Sequence, residues 1–584
     1  MKMLVGSPLP LAATLAVVLC VVIPPLRALG QDASPAPAGQ SPAGQRAAEF
    51  IARYEQTIRP LETARNLADW NAAASGKDED YKAAEEAQNR LDAALANPAE
   101  FAALKQIRDD LKKADPKPDP LAVRQIDLIY LEYLGKQVDP ELLKRITAKS
   151  TAITQAFNVY RAEVNGRKLP DSEVEKILKE NRDSQYRRAV WEASKGVGAV
   201  VEKDLKELVA LRNEAARKLG FTDYYDMELR RSEMSREQVL KLFDALHDLT
   251  HGLFREAKRE IDARLAADYS IQPDALRPWH YHDRFFQEPP DIYDFDFDPP
   301  YAKADVVKLA GQFYTGLGLP VDDVLARSDL YERPGKYPHA MCTFIDREND
   351  IRVMANVVPN ERWMSTMLHE LGHAAYDKYM PKSLPYVVRT PAHTFTTEAI
   401  AMLFERFARQ PGSMRAMGLE VADPVAVARA EARSRRDQIL IFAAWTQVMV
   451  RFESAMYQQP DQDLNTLWWD LVEKYQLVRR PEGRNAPDYA SKIHIVSAPA
   501  YYHAYMMGQM FASQLHRTIR RDVLQTDDPT PVYNNRKEIG EFLKTKVFAP
   551  GATLRWNELV RHATGEDLNP KAMMEELQAA AHDH

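Results

Sequence analysis

Cysteine is nearly absent from this 584-residue chain, which has two, Cys20 and Cys342. Cys20 lies in an apolar run from Leu9 to Ile23 that follows Met-Lys-Met and leads to Ala28-Leu29-Gly30, the layout of a secretory signal with a small-residue cleavage site. With residues 1–30 read as signal peptide, one cysteine is left and an intramolecular disulfide is excluded. Packing alone must then stabilise an exported protein, periplasmic or secreted, in an oxidising compartment. Leu19 stands before Cys20 where a lipoprotein signal wants a small residue, which argues against a lipid anchor.

Long apolar runs are also lacking beyond that segment. None approaches the ~18 residues of a membrane span, so no span is expected in the mature protein. Excess positive charge is missing too: 77 Lys and Arg stand against 84 Asp and Glu, a net charge of −7 with the signs interspersed, which excludes the electrostatic footprint of a nucleic-acid partner. What is present is a globular composition, 45% hydrophobic and 28% charged, in a chain long enough for a deep core. The Pro, Ala, Gly and Ser tract from Asp32 to Gly44 cannot build a core. Residues 31–46 are therefore expected as a flexible lead-in and 47–584 as the folded part.

From Ala47 onward amphipathic helical patterns dominate, as in Leu121, Val123, Ile126, Leu128, Ile129, Leu131 and Leu134. The fold is mainly α. One stretch departs: Cys342-Thr-Phe-Ile-Asp, the polar turn Arg347 to Asp350, and Ile351-Arg-Val-Met-Ala predict a β-hairpin. Just after it comes Met367-Leu-His-Glu-Leu-Gly-His-Ala-Ala-Tyr376, with a helix start at Pro359-Asn360 and a stop at Pro381. H-E-x-x-H on a helix places His369 and His373 on one face, within reach of one zinc ion, with Glu370 beside them as the base of a metal-assisted peptide hydrolysis. A strand edge beside such a site can hold an extended peptide through main-chain hydrogen bonds. Asp294, Asp296 and Asp298 resemble the start of a calcium loop, but Pro299 occupies the position that demands Gly and Asp305 that of the bidentate Glu.

Catalytic zinc takes a third protein ligand and leaves one position open. Glu398, in Thr397-Glu-Ala-Ile-Ala-Met-Leu-Phe-Glu-Arg406, is the preferred candidate, and Glu405 on the same helical pattern competes with it.

These blocks, taken in order, resemble the angiotensin-converting enzyme family, the zinc peptidyl-dipeptidases, and point to an exported member of bacterial type. The resemblance covers most of the chain after residue 47. It rests on H-E-x-x-H, on Glu398-Ala-Ile, on His339-Ala340 thirty residues before His369, on Leu467-Trp-Trp-Asp470, on Lys492-Ile-His-Ile-Val-Ser497 and on Tyr502-His-Ala-Tyr505. It implies a large two-lobed helical metallopeptidase with a deep central cleft and a small hairpin next to the zinc helix. One zinc per chain would sit on His369, His373 and Glu398, with Glu370 as general base. His494 and Tyr505 would steady the oxyanion. His339 and Ala340 would bind the substrate as a strand, and Lys492 and Tyr502 would grip its C-terminal carboxylate; Gln287 is left open as a further contact.

Three departures from the family stand out. Ala504 replaces an Arg associated with chloride activation, so chloride dependence is expected to be weak or absent. Met402 replaces an acidic residue four positions after the Glu ligand. The interval from His494 to Tyr505 is one residue longer than in the family. The expected activity is hydrolysis of short peptides with release of C-terminal dipeptides; a thimet-type endo-oligopeptidase and a non-catalytic peptide-binding relative are the alternatives.

Overall fold

The computed structural model describes residues 41–290, 292 and 295–582. The expected signal peptide lies outside them. Among them the protein is built from helices, with two small antiparallel sheets of two strands each, Ala162–Val164 with Arg167–Leu169 and Met341–Phe344 with Ile351–Met354. The first helix begins earlier than the lead-in reading allowed. Ser41 accepts a hydrogen bond from the Gly44 N–H at 3.2 Å and Pro42 occupies the first helical position, so residues 42–46 are helical. A serine cap followed by proline is a strong helix start even inside a core-poor tract.

Four helices, Pro42–Ser75, Asp78–Leu95, Pro98–Lys113 and Pro120–Leu134, form an N-terminal layer, within which Phe50, Tyr54, Leu104, Ile126 and Tyr133 make a core of their own. A much larger core runs from Ile153 to Leu577. Polar ties join the two: Arg347 pairs with Glu62 at 2.6 Å, and buried Arg124 pairs with Glu233 while donating to the Ala552 carbonyl at 2.8 Å. The helix Pro424–Gln458 is long and apolar enough to cross a membrane, yet 83% of its apolar window is buried inside the protein, and it serves as a central core helix.

The hairpin spans the expected residues. Its turn is closed by Asp346, whose Oδ1 accepts from the N–H groups of Glu348, Asn349 and Asp350 at 2.8, 2.9 and 3.0 Å. Ile351–Met354 lies between Met341–Phe344 and an isolated bridge at Asp329, which leaves the far edge of Met341–Phe344 without a partner strand among the described residues.

Candidate metal centre

The helix Glu361–Tyr379 carries the H-E-x-x-H residues. Its start is fixed twice: the Asn360 side chain accepts from the Trp363 N–H at 2.9 Å, and Asp298 Oδ1 accepts from the Glu361 N–H at 3.0 Å. The acidic loop thus caps this helix through Asp298; Asp294 lies outside the described residues. Glycine lets two neighbours close in. A Cβ at Gly372 would stand 2.9 Å from Ala401 Cα on the helix Thr394–Glu405, and one at Gly508, on the helix His503–Thr518, would stand 3.1 Å from Glu398 Cβ. Larger residues would push apart the helices that bring Glu398 to the histidines.

His369 Nε2 and His373 Nε2 lie 3.3 Å apart, and Glu398 Oε2 is 3.6 Å from the first and 3.9 Å from the second. Zinc with N and O ligands at ~2.0–2.2 Å in tetrahedral geometry sets ligand atoms roughly 3.4 Å from one another. Two imidazole nitrogens and a carboxylate oxygen at these separations fit that ion. No other cluster of this kind occurs among the described residues.

The outer nitrogens of the imidazoles are also held. With Nε2 turned inward, His369 Nδ1–H donates to Glu405 Oε2 at 2.6 Å and His373 Nδ1–H donates to Thr397 Oγ1 at 2.7 Å. Such partners fix the tautomer and orientation of a ligand. Glu405, the competitor for third ligand, therefore takes the orienting role that Met402 cannot. Seven residues along a helix return to nearly the same face as Glu398, so the carboxylate arrives one turn beyond Met402. Glu370 is buried, and burial raises its carboxyl to about 7 against the opposing pull of neighbouring His369.

The other predicted residues come from a loop and two short helical segments. Lys492 precedes the helix Ile493–Ser497, which holds His494; Tyr502 and Tyr505 flank the start of His503–Thr518. The His494 ring lies 5.0 Å from that of Tyr502 and 6.2 Å from that of Tyr505, centroid to centroid. Burial lowers the His494 imidazole to about 4, so it is neutral at ordinary pH. Its Nδ1 is buried without a partner, which leaves Nε2 as the other ring nitrogen available for a contact. Lys492 is buried, donates to Gln287 Oε1, and sits against the rings of Phe285, Trp445 and Tyr502 at 5.2 to 5.6 Å. Burial lowers its ammonium to about 8. Tyr502 Oη accepts from Trp445 Nε1 at 2.7 Å.

Gln287, Lys492, His494, Tyr502 and Tyr505 line one cavity of about 800 Å³, and Met402 and Glu405 from the metal side line it too. His339 and Ala340 fall just before the strand, which starts at Met341; His339 is exposed and packs on Tyr337, and Ala340 is half-buried. Residue patterns alone missed Tyr501, whose ring packs edge-on against that of Tyr505 at 5.3 Å and whose surroundings include the Glu398 charge. Three tyrosines within five positions were the available signal.

Residues 41–280 match the family model described as angiotensin-converting enzyme, and residues 325–579, which include the three candidate ligands, Glu370, His494 and Tyr505 but not Gln287, match that of peptidase family M3. An angiotensin-converting enzyme of Theromyzon tessulatum is 20% identical over 504 residues, covering 78% of this chain and 79% of that protein. That of Bos taurus is 22% identical over 435 residues, covering 68% of this chain and 32% of that protein.

Proposed function

We propose that this zinc metallopeptidase is an exported member of the angiotensin-converting enzyme family, a peptidyl-dipeptidase that removes C-terminal dipeptides from short peptides. The observation that carries this reading is the shared cavity. Lys492, a buried cation at one wall, is set to receive a carboxylate, and the oxyanion donors His494 and Tyr505 and the metal-side residues Met402 and Glu405 line the same space. A buried ammonium needs an anionic or dipolar partner. A peptide whose terminal carboxylate meets Lys492, Gln287 and Tyr502 can place an inner peptide bond at the metal centre.

His369, His373 and Glu398 would hold the zinc, which when bound would supply Lewis acidity to the scissile carbonyl and to water. Glu370 accepts the proton of the attacking water as its oxygen bonds to the carbonyl carbon, then passes that proton to the amine as the C–N bond breaks. The products are a shortened peptide with a free carboxylate and a dipeptide with a free amine. Neutral His494, through Nε2–H, and the Tyr505 hydroxyl donate to the oxygen that gains charge. The unpartnered edge of Met341–Phe344 aligns the substrate backbone.

The test is mass spectrometry of products from a pool of peptides, each with a free and with an amidated C-terminus. Dipeptide release that collapses on amidation supports the reading. Internal cleavage indifferent to amidation supports the second one, a thimet-type endo-oligopeptidase, which is favoured by the M3 match across the candidate ligands, Glu370, His494 and Tyr505. Chloride dependence is proposed to be weak, because Ala504 offers no cation; equal activity in chloride and acetate salts is the expected result, and steep chloride-specific activation refutes it. Export is tested by fractionation and by the N-terminus of the mature protein, expected near residue 31.

A further inference from the structure

The segment from Ala498 to Tyr502 joins the two oxyanion donors and carries a strained residue. Ala500 has φ +55°, the left-handed region that an alanine avoids because its Cβ crowds the following carbonyl. Local hydrogen bonds close either side, Ala498 N–H to the His494 carbonyl at 2.9 Å and Ala504 N–H to the Tyr501 carbonyl at 3.0 Å. Between them the Ala500 N–H donates to the carboxyl of Glu453 at 2.7 Å. Glu453 is 2% exposed and comes from the long core helix Pro424–Gln458, 47 residues away in sequence.

A carboxyl at that depth is costly, and this one has no direct ion pair among the described residues. Arg212 lowers its pKa through space, but that guanidinium donates to Tyr457 Oη at 3.1 Å and its Nε is without a partner. Such a group is a poor way to stabilise a core. Its contact with Ala500 gives it a different use. Two turns earlier on the same helix, Trp445 holds Tyr502 through its indole N–H. One rigid helix therefore grips the loop at both the turn and the clamp tyrosine.

We propose that Glu453 is a positioning residue for the peptidase reaction: by holding the Ala500 main-chain N–H it fixes the left-handed turn that sets His494 and Tyr505 at their working separation. It acts through the donors and touches no reacting atom. The proposal rests on the roles given above to His494 and Tyr505, and not on whether the enzyme removes dipeptides or cuts internally.

The experiment measures kcat and KM, on whichever peptide the native protein cleaves, for Glu453→Gln, Glu453→Asp and Glu453→Met, with zinc content and Tm for each. Gln keeps an acceptor at the same reach and is expected within about threefold of native. Asp is one methylene too short and Met has no comparable acceptor; each is expected to lower kcat about 10- to 100-fold, the range for misplacing reacting groups. KM should move less than about threefold, because Lys492 and Tyr502 keep their own anchors. If Met does not fold, Asp still decides. Native kcat in a folded Asp variant overturns the proposal, and so does an equal loss in Gln and Asp. In a Tyr505→Phe, His494→Ala background the Asp effect should vanish, since the groups it positions are gone; a full additional loss there overturns the proposal. If that background itself keeps native kcat, the donor roles fail, a result distinct from any outcome at residue 453.

Discussion

The two ends of the cleft are built by different means. At the metal end every functional side chain sits on a helix, and its supports are near in sequence: His369 leans on Glu405, 36 residues on, and His373 on Thr397, 24 residues on. At the clamp end the residues sit on a loop, and the supports are distant: Gln287 lies 205 residues from Lys492 and Trp445 lies 57 from Tyr502. The metal end needs three atoms held at ligand distance before any ion arrives, which adjacent helices in close glycine contact can do. The clamp end is proposed to fit a flexible peptide, and a loop fastened at a few points retains the adjustability such a fit needs. Damage at the metal end should therefore strike the chemical step or the metal, and damage at the clamp end should strike substrate selection.

The strongest test of that division is Glu370→Gln. The amide keeps the size of the side chain but cannot take a proton. A loss of about 10²- to 10⁴-fold in kcat is expected, with KM nearly unchanged and one zinc per chain retained. Metal analysis alongside steady-state kinetics checks it. Loss of zinc in parallel with activity would mean that Glu370 belongs to the supports of the centre.

Next in size is Glu405→Ala, which removes the acceptor from His369 Nδ1 and leaves all three ligand side chains in place. Zinc affinity or activity should fall about 10- to 100-fold, as when outer partners of ligand histidines are removed. Competition with a chelator reads the affinity directly. Met402→Asp, by contrast, restores an acid at the position where the family has one, and its rescue of Glu405→Ala would show that either turn of the helix can supply the carboxylate.

This contrast also explains what could be read from the residues. His369, Glu370, His373 and Glu398 are legible because helical periodicity fixes which side chains share a face, and the hairpin is legible from its alternation and polar turn. The supporting acid was sought four positions after Glu398, although the same periodicity allows it at seven, where Glu405 stands. Glu453 with Ala500 and Gln287 with Lys492 leave no such trace. Each depends on the path of the chain through space, and Ala500 adopts a left-handed conformation where no glycine announces it. Residues 42–46 were misjudged because composition outweighed the local cap at Ser41.

The smallest effect should come from pH at the clamp end. An ordinary lysine stays charged until well above pH 10, but burial brings Lys492 to about 8, against the weaker opposing pull of Asp283. Because the lowered pKa favours the neutral amine, the cation proposed to meet the substrate carboxylate is present below pH 8 and is lost as pH rises through that value. For peptides with a free C-terminus KM should rise about tenfold between pH 7 and 9, following the one-decade loss of ammonium per pH unit above the pKa. Over the same range His494 is neutral throughout, and Glu370, raised to about 7, completes its ionisation, so kcat should rise by no more than about twofold. Amidated peptides gain nothing from the ammonium, so their KM should stay flat and the two curves should converge at high pH. Parallel curves for the two substrate forms would place the carboxylate elsewhere in the cleft and remove Lys492 from the clamp.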